Sequence, residues 1–155
     1  RDTLSTVEDL RHVPQIESRA MPPALKEATR YIRDCTAPSD RVMVTWFAPE
    51  VYFYAERLFA AGQSFFYPGF FVTEEDQRRA LSRLAAESVP IVLTDAERYQ
   101  RFFISEYPLI AEHLEQEFPL AGEIGGDGVA RIGVRTNRRR PPVRNDPVSG
   151  LPCYR

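Results

Sequence analysis

The residues with chemistry to offer gather where an apolar run gives way to a helical one, in Thr45-Trp-Phe-Ala-Pro-Glu50 and the Tyr52 that follows. Trp46 brings an aromatic face, Glu50 a carboxylate and Tyr52 a hydroxyl. A sugar site uses that mixture, because stacking orients the ring while buried hydrogen bonds select its hydroxyls. Trp46, Glu50 and Tyr52 are therefore the candidate ligand-binding residues. A plainer reading also stands. Pro49 and Glu50 suit the first turn of any helix, and Trp46 can simply cover a sheet. Phe47 and Phe53 are expected to fill the core.

Other groupings offer less. The turn at 45–50 lacks the glycines that let backbone approach a pyrophosphate, so no dinucleotide cofactor is expected. There is no glycine-lysine-serine phosphate loop, and Gly62-Gln-Ser64 runs into Phe65-Phe66 without completing a nucleophile elbow. His12 and His113 stand far apart with no ligand pattern around them, so no metal site is expected. Glu74, Glu75 and Asp76 imitate a carboxylate cluster, but a helix N-terminus accounts for all of them. Gly125-Gly-Asp-Gly128 reads as a hairpin loop rather than an anion cradle. No residue is assigned a catalytic role.

The elements that must position these groups follow from periodicity. Arg41 to Trp46 is apolar and β-branched, as a strand covered on both faces should be. A helix from Pro49 to about Ala60 is expected next, with Val51, Ala55 and Leu58 inward, stopped by Ala61-Gly62. Ser64 to Tyr67 is expected to form the second strand and Val89 to Thr94 the third. An earlier helix begins at Pro22-Pro23 and puts Leu25, Ala28, Ile32 and Cys35 on one face. Thr73 caps a helix whose buried stripe is expected at Leu81, Leu84 and Ala85. Asp95 and Ser105 cap two more, carrying Tyr99, Phe102 and Phe103, then Tyr107, Ile110, Ala111 and Leu114. Leu120 to Ile124 and Val129 to Val134 alternate as a hairpin. The expected fold is α/β: a three-layer α/β/α sandwich with a parallel core sheet and a C-terminal antiparallel hairpin.

Composition sets the boundaries. The chain has 155 residues, enough for one sizeable core, and its net charge of −2 argues against a nucleic-acid partner. A lead-in over 1–21, helical or extended around Leu4 to Val13, precedes an α/β domain over 22–135. A tail over 136–155 is rich in proline and arginine and is expected to be extended. Arg138, Arg139 and Arg140 read as solvated charge, or as contacts for lipid phosphates. No run nears the ~18 apolar residues of a membrane helix, so the piece itself is expected to be soluble. The opening Arg1 suggests a segment cut from a longer protein. Cys35 and Cys153 permit one bridge in an oxidising compartment, or are two separate thiols.

The stretch Arg41-Val-Met-Val-Thr-Trp-Phe-Ala-Pro-Glu-Val-Tyr-Phe-Tyr-Ala-Glu-Arg57 follows Ala37-Pro-Ser-Asp40 and is continued by Phe65-Phe-Tyr-Pro68 and Val89-Pro-Ile-Val-Leu93. It resembles a segment in the soluble C-terminal regions of bacterial membrane glycosyltransferases with the GT-C architecture. These are the dolichyl-phosphate-mannose–protein mannosyltransferase and aminoarabinose-transferase group. The resemblance implies an extracytoplasmic domain on the periplasmic face of the inner membrane, following many membrane helices. Its partners would be the transmembrane portion of the same polypeptide and, through it, a polyprenyl-phosphate sugar donor. The family's catalytic acid belongs to the membrane portion, so no catalytic residue carries over to this chain. An accessory role is expected: positioning acceptor, or stabilising the outer face. The alternatives are a free-standing extracytoplasmic sugar-binding or sensory module, and a small soluble enzyme.

Overall fold

Strand β1 (Arg41–Val44) is the centre of the molecule because Val42, Met43 and Val44 bury both of their faces. The computed structural model describes residues 21–126 and 130–155. Helix α1 (Pro23–Cys35) precedes β1, and α2 (Pro49–Ala55), β2 (Leu58–Phe59), α3 (Glu74–Ala86) and β3 (Ile91–Asp95) follow it. A helical segment comes next, made of α4 (Ala96–Arg98), a π-helical turn (Tyr99–Phe103) and α5 (Ile104–Glu106). It is succeeded by α6 (Pro108–Glu117), β4 (Leu120–Ile124), β5 (Ile132–Thr136), β6 (Arg144–Asn145) and β7 (Pro152–Cys153).

The fold is mixed α/β. One sheet has five strands in the order β2-β1-β3-β5-β4, and β6 and β7 form a separate antiparallel ribbon. β1 pairs parallel with β2 and with β3, whereas β5 runs antiparallel to both β3 and β4. Parallel pairing of β1 with β3 and antiparallel pairing of β4 with β5 agree with the expectation, within a sheet that is mixed as a whole and whose last strand lies at Ile132–Thr136 rather than 129–134. The stretch Leu4 to Val13, His12 within it, and the loop tip at 127–129 lie outside the described residues.

Alternation along the strands sends side chains to two apolar clusters. Val42, Val44, Ile91, Leu93 and Val134 meet Ala28, Tyr31 and Ile32 of α1 and Val51 and Ala55 of α2. Met43 and Val92 point the other way, into Ala80 and Leu84 of α3 and Ile110 and Leu114 of α6. Each fully buried aliphatic chain of this kind contributes about 1.5–3 kcal/mol. The inner face of α3 is Gln77, Ala80 and Leu84; Ala85, expected inside, is exposed. Thr73 caps α3 as expected, its hydroxyl accepting Asp76 N–H at 3.1 Å.

The second strand is where expectation and structure part. α2 ends at Ala55 because Glu56 turns left-handed, with φ of 55°. Leu58, expected on the buried helical face, instead opens β2 and is exposed. What ends the helix is Arg57, a buried guanidinium. It donates to the carbonyls of Ala55, Glu56, Arg33 and Thr36 and to the Thr36 hydroxyl, at 2.8–3.1 Å. These oxygens sit at the C-terminal ends of α1 and α2, where helix dipoles favour a cation. Residues 64–67, expected as the strand, form a loop with Phe66 plugged into the second cluster.

The tail packs rather than trails. Cys153 forms a disulfide with Cys35, Leu151 and Tyr154 enter the first cluster, and Tyr154 N–H donates to Cys35 O at 2.8 Å. Arg30 pairs with buried Asp146 at 2.7 Å, and Arg140 with buried Asp40 at 2.7 Å. Arg139 pairs with Glu117. Two arginines of the expected free basic run are thus spent on ion pairs within the domain.

Candidate functional site

β1 sits between β2 and β3 in the sheet, yet the chain leaves it first toward β2 and later returns to β3 on its other side. At such a switch point the connections diverge beyond the carboxyl ends of the strands and leave a crevice. The structure has a cleft of about 520 Å³ at that place. Thr45, Trp46 and Phe47 come from the end of β1, while Arg98, Phe102, Phe103, Glu106 and Tyr107 come from the helical segment after β3. Phe66, Tyr67 and Pro68 close it from the loop after β2. The volume lies inside the roughly 300–1,000 Å³ of small-molecule sites.

Local chemistry explains how each wall is held. Asp95 ends β3 and caps the next turn by accepting Arg98 N–H at 3.0 Å, which stations Arg98 at the mouth. The π-helical turn inserts an extra residue, marked by Ile104 N–H bonding to Tyr99 O. Such turns recur at functional sites because they re-aim side chains without breaking the helix. Here adjacent Phe102 and Phe103 both line the cleft, one exposed and one buried. Phe103 stacks on Tyr99 at 5.2 Å and meets Phe66 at 5.4 Å.

The loop wall is tied down by one hydroxyl. Tyr107 Oη lies 2.8 Å from Tyr67 O and 2.6 Å from Phe70 O, its proton serving these carbonyls, and accepts Tyr67 N–H at 3.2 Å. Burial pushes the Tyr107 phenol up, so it stays a donor at neutral pH. Glu106 takes Gly69 N–H at 3.3 Å through one carboxylate oxygen. Gly69, at φ of 88°, makes the turn that L-residues resist. Outside the turn, Phe65 meets Phe47, Phe70 and Phe71 with centroids 5.9–6.1 Å apart, an aromatic rim open to solvent.

The three candidate residues are separated by the fold. Trp46 lines the cleft while most of its surface packs into the first core cluster. Tyr52 does not line it: its ring is buried near α1 and its hydroxyl accepts Val44 N–H at 3.0 Å. β2 pairs with β1 only as far as Val42, so the Val44 amide has no ladder partner and Tyr52 supplies one. Burial pushes the Tyr52 phenol far up, opposed by the Val44 N–H. Glu50 lies on the first turn of α2 and is also outside the cleft lining. Phe47 and Phe53, expected in the core, are 60% and 67% exposed. Phe47 follows the strand's end, and α2 spends its inner face on Val51, Tyr52 and Ala55.

Sequence reasoning placed the site at the end of β1 but missed most of its walls. Phe66 and Tyr67 fall in the expected second strand, and Phe102, Phe103 and Tyr107 on the expected helices, so periodicity marks none of them as a site residue. Their signal was surplus: the aromatics of 65–71 and 99–107 exceed what one inward stripe per element can absorb.

Among the described residues no group of three or more histidine, cysteine or carboxylate side chains is arranged to hold a metal ion. No described helix is long and apolar enough to cross a membrane. Comparison with known protein families, curated proteins and solved structures finds no match.

Proposed function

We propose that this chain is an accessory domain of a membrane glycosyltransferase that moves a sugar from a polyprenyl-phosphate donor, and that it is not catalytic by itself. Its work is to position the acceptor beside the membrane portion of the same polypeptide, on the periplasmic face of the inner membrane. The observation that carries the reading is the aromatic-walled cleft at the switch point between β1 and β3, which holds Trp46 from the segment resembling that family. The Cys35–Cys153 disulfide supports an extracytoplasmic setting, since such bonds persist in oxidising compartments. The same proposal takes the domain as a three-layer α/β/α sandwich, supported by separate apolar clusters on alternating strand side chains.

Among the described residues Glu106 is the carboxylate that lines the cleft, so the carboxylate pair used in glycoside hydrolysis is not assembled there. The test is the joint variant Trp46→Ala and Phe102→Ala in the full-length membrane protein, with sugar transfer measured at matched protein levels. Transfer should drop markedly; unchanged transfer overturns the proposal, as does turnover of a polyprenyl-phosphate sugar by this purified chain. A free-standing extracytoplasmic sugar-binding module is the second reading, favoured by a cleft and a disulfide both completed within this chain. Membrane helices encoded upstream of Arg1 in the native gene would decide for the first reading.

A further inference from the structure

We propose that the turn at 67–71 is a docking tip for an anionic phospholipid bilayer, its rings entering the interfacial layer while neighbouring arginines meet headgroup phosphates. The inference goes beyond the accessory reading and needs only what this chain carries. Between Arg57 and Glu74 no side chain is charged. Inside that stretch Tyr67, Phe70 and Phe71 are 57%, 52% and 47% exposed, and Pro68 and Gly69 between them are exposed as well. Phe65 joins Phe70 and Phe71 to exposed Phe47, with centroids 5.9–6.1 Å apart. Single exposed apolar residues need no explanation, but rings gathered in one place mark an interaction surface.

The backbone of the tip points to what covers it. In water a turn can leave its N–H groups to solvent, whereas lipid offers no partner and each must be bonded internally. Here Tyr67 N–H donates to Tyr107 Oη at 3.2 Å, Gly69 N–H to Glu106 Oε2 at 3.3 Å, and Phe70 N–H to Tyr67 O at 3.1 Å. Pro68 has no N–H to place. Tyr107 Oη also serves the carbonyls of Tyr67 and Phe70. The rings face outward while the donors are spent inward. A protein partner would be met by about one hydrogen bond per 100–200 Å² of contact, and the donors of 67–70 are already used. With Phe66 packed in the second cluster and Tyr107 holding the loop, the tip is preorganised, so docking orders little.

Charge selects the kind of bilayer. Arg98 lines the cleft with Tyr67 and Pro68, and Arg83 lines a smaller hollow with Phe65 and Phe71. Cations thus stand beside the rings in two separate hollows. Arg78, Arg79 and Arg101 are paired with Glu74, Glu75 and Glu97, but neither Arg83 nor Arg98 has an acidic partner among the described residues. The acids in the same hollows are engaged, Glu106 by Gly69 N–H and Asp76 by the Thr73 hydroxyl. Two unpaired guanidinium groups beside uncharged rings match a surface that has apolar depth under negative phosphates. A small free anion would use the arginines and leave the rings in water.

The test is cosedimentation of the 155-residue chain with vesicles of phosphatidylcholine alone and of an equal mixture of phosphatidylcholine and phosphatidylglycerol. Tighter binding to the mixed vesicles is expected. Phe70→Ser with Phe71→Ser should weaken it about tenfold, and Arg98→Gln about fivefold. The melting temperature of the free chain should hold, since all three positions are exposed. Phe70→Trp should give emission that shifts to the blue on the vesicles and is quenched by brominated lipid tails, which headgroup contact alone does not produce. Val143→Ser with Val148→Ser, an exposed apolar pair on the tail, should leave binding as it was. The inference is overturned by no binding to the mixed vesicles, by equal binding to both kinds, or by binding that Phe70→Ser with Phe71→Ser leaves intact. Equal loss in the Val143 and Val148 variant overturns it too, as does a dimer of the free chain that the Phe70 and Phe71 variant dissolves. None of these readouts involves sugar transfer, so the accessory reading stands or falls separately.

Discussion

The two ends of the sheet are built on opposite rules. Where the tail meets α1, charges are matched in pairs: Arg30 holds Asp146, Arg140 holds Asp40, and a disulfide ties Cys153 to Cys35. At the cleft, across the carboxyl ends of β1 and β3, a threonine hydroxyl is unpaired, an arginine is unpartnered among the described residues, and phenylalanines face solvent. The tail end resembles an interior completed by its own chain. The cleft end leaves aromatic faces and a guanidinium unmatched by the chain's own groups among the described residues. The difference teaches where stability is stored and where it has been withheld, since satisfied buried polar groups rigidify and unsatisfied ones cost free energy.

Breaking the tail end should have the largest effect on folding and little on the cleft. Cys153→Ser opens a loop spanning 118 residues of sequence separation and should lower stability by about 2–5 kcal/mol, read by denaturant unfolding. If the comparison is right, the Trp46 environment below the transition is unchanged; an altered Trp46 emission in the folded variant would show the two ends to be coupled.

Acid sharpens the same contrast. Burial by itself would raise the Asp146 carboxyl, but hydrogen bonds from Arg30 and Ser149 and the Arg30 charge outweigh it and hold the group far below the carboxylate range. Asp40 is treated alike: burial raises it, and Arg140, Ser88 and the Ala37 amide lower it further. Groups with depressed folded pKa values contribute stability that is present above their unfolded pKa, about 3.9, and is lost as pH falls toward the folded values. The melting temperature should therefore drop as pH is taken below about 4. Asp146→Asn should flatten that drop, and an unaltered acid profile in this variant would remove Asp146 from the account.

The smallest effect on stability, and the most local, is expected at the cleft. Tyr107→Phe removes the hydroxyl that holds Tyr67 and Phe70. It should cost about 1–2 kcal/mol, within the penalty for unmade hydrogen bonds. Faster amide exchange confined to residues 66–71 would confirm that the loop wall is hung on Tyr107. Exchange rising evenly across the sheet would instead make Tyr107 a general core residue.

The site was half legible for a related reason. Trp46 stood out because a strand end followed by Pro49 is a local pattern. The Thr45 hydroxyl did not, because being unpartnered is a property of everything around it. Tyr52 read as a reaching hydroxyl, and only the short β2 shows that it is a substitute partner for the Val44 amide.

By itself the sequence determined the period of each element. Leu25, Ala28, Ile32 and Cys35 had to share a helical face, Val42 and Val44 the opposite face from Met43, and Thr73 had to cap α3. These are contacts between near neighbours, fixed by 3.6- and 2-residue repeats and by capping chemistry. Tertiary structure alone decided that Arg57 would end α2, that Leu58–Phe59 rather than 64–67 would pair with β1, and that the tail would bridge back to α1. It also decided that aromatics from three separate stretches would enclose one cleft. Each of those outcomes depends on partners far away in the chain, such as the α1 carbonyls around Arg57 or Tyr107 beneath the 67–70 loop, and local propensity contains no term for them.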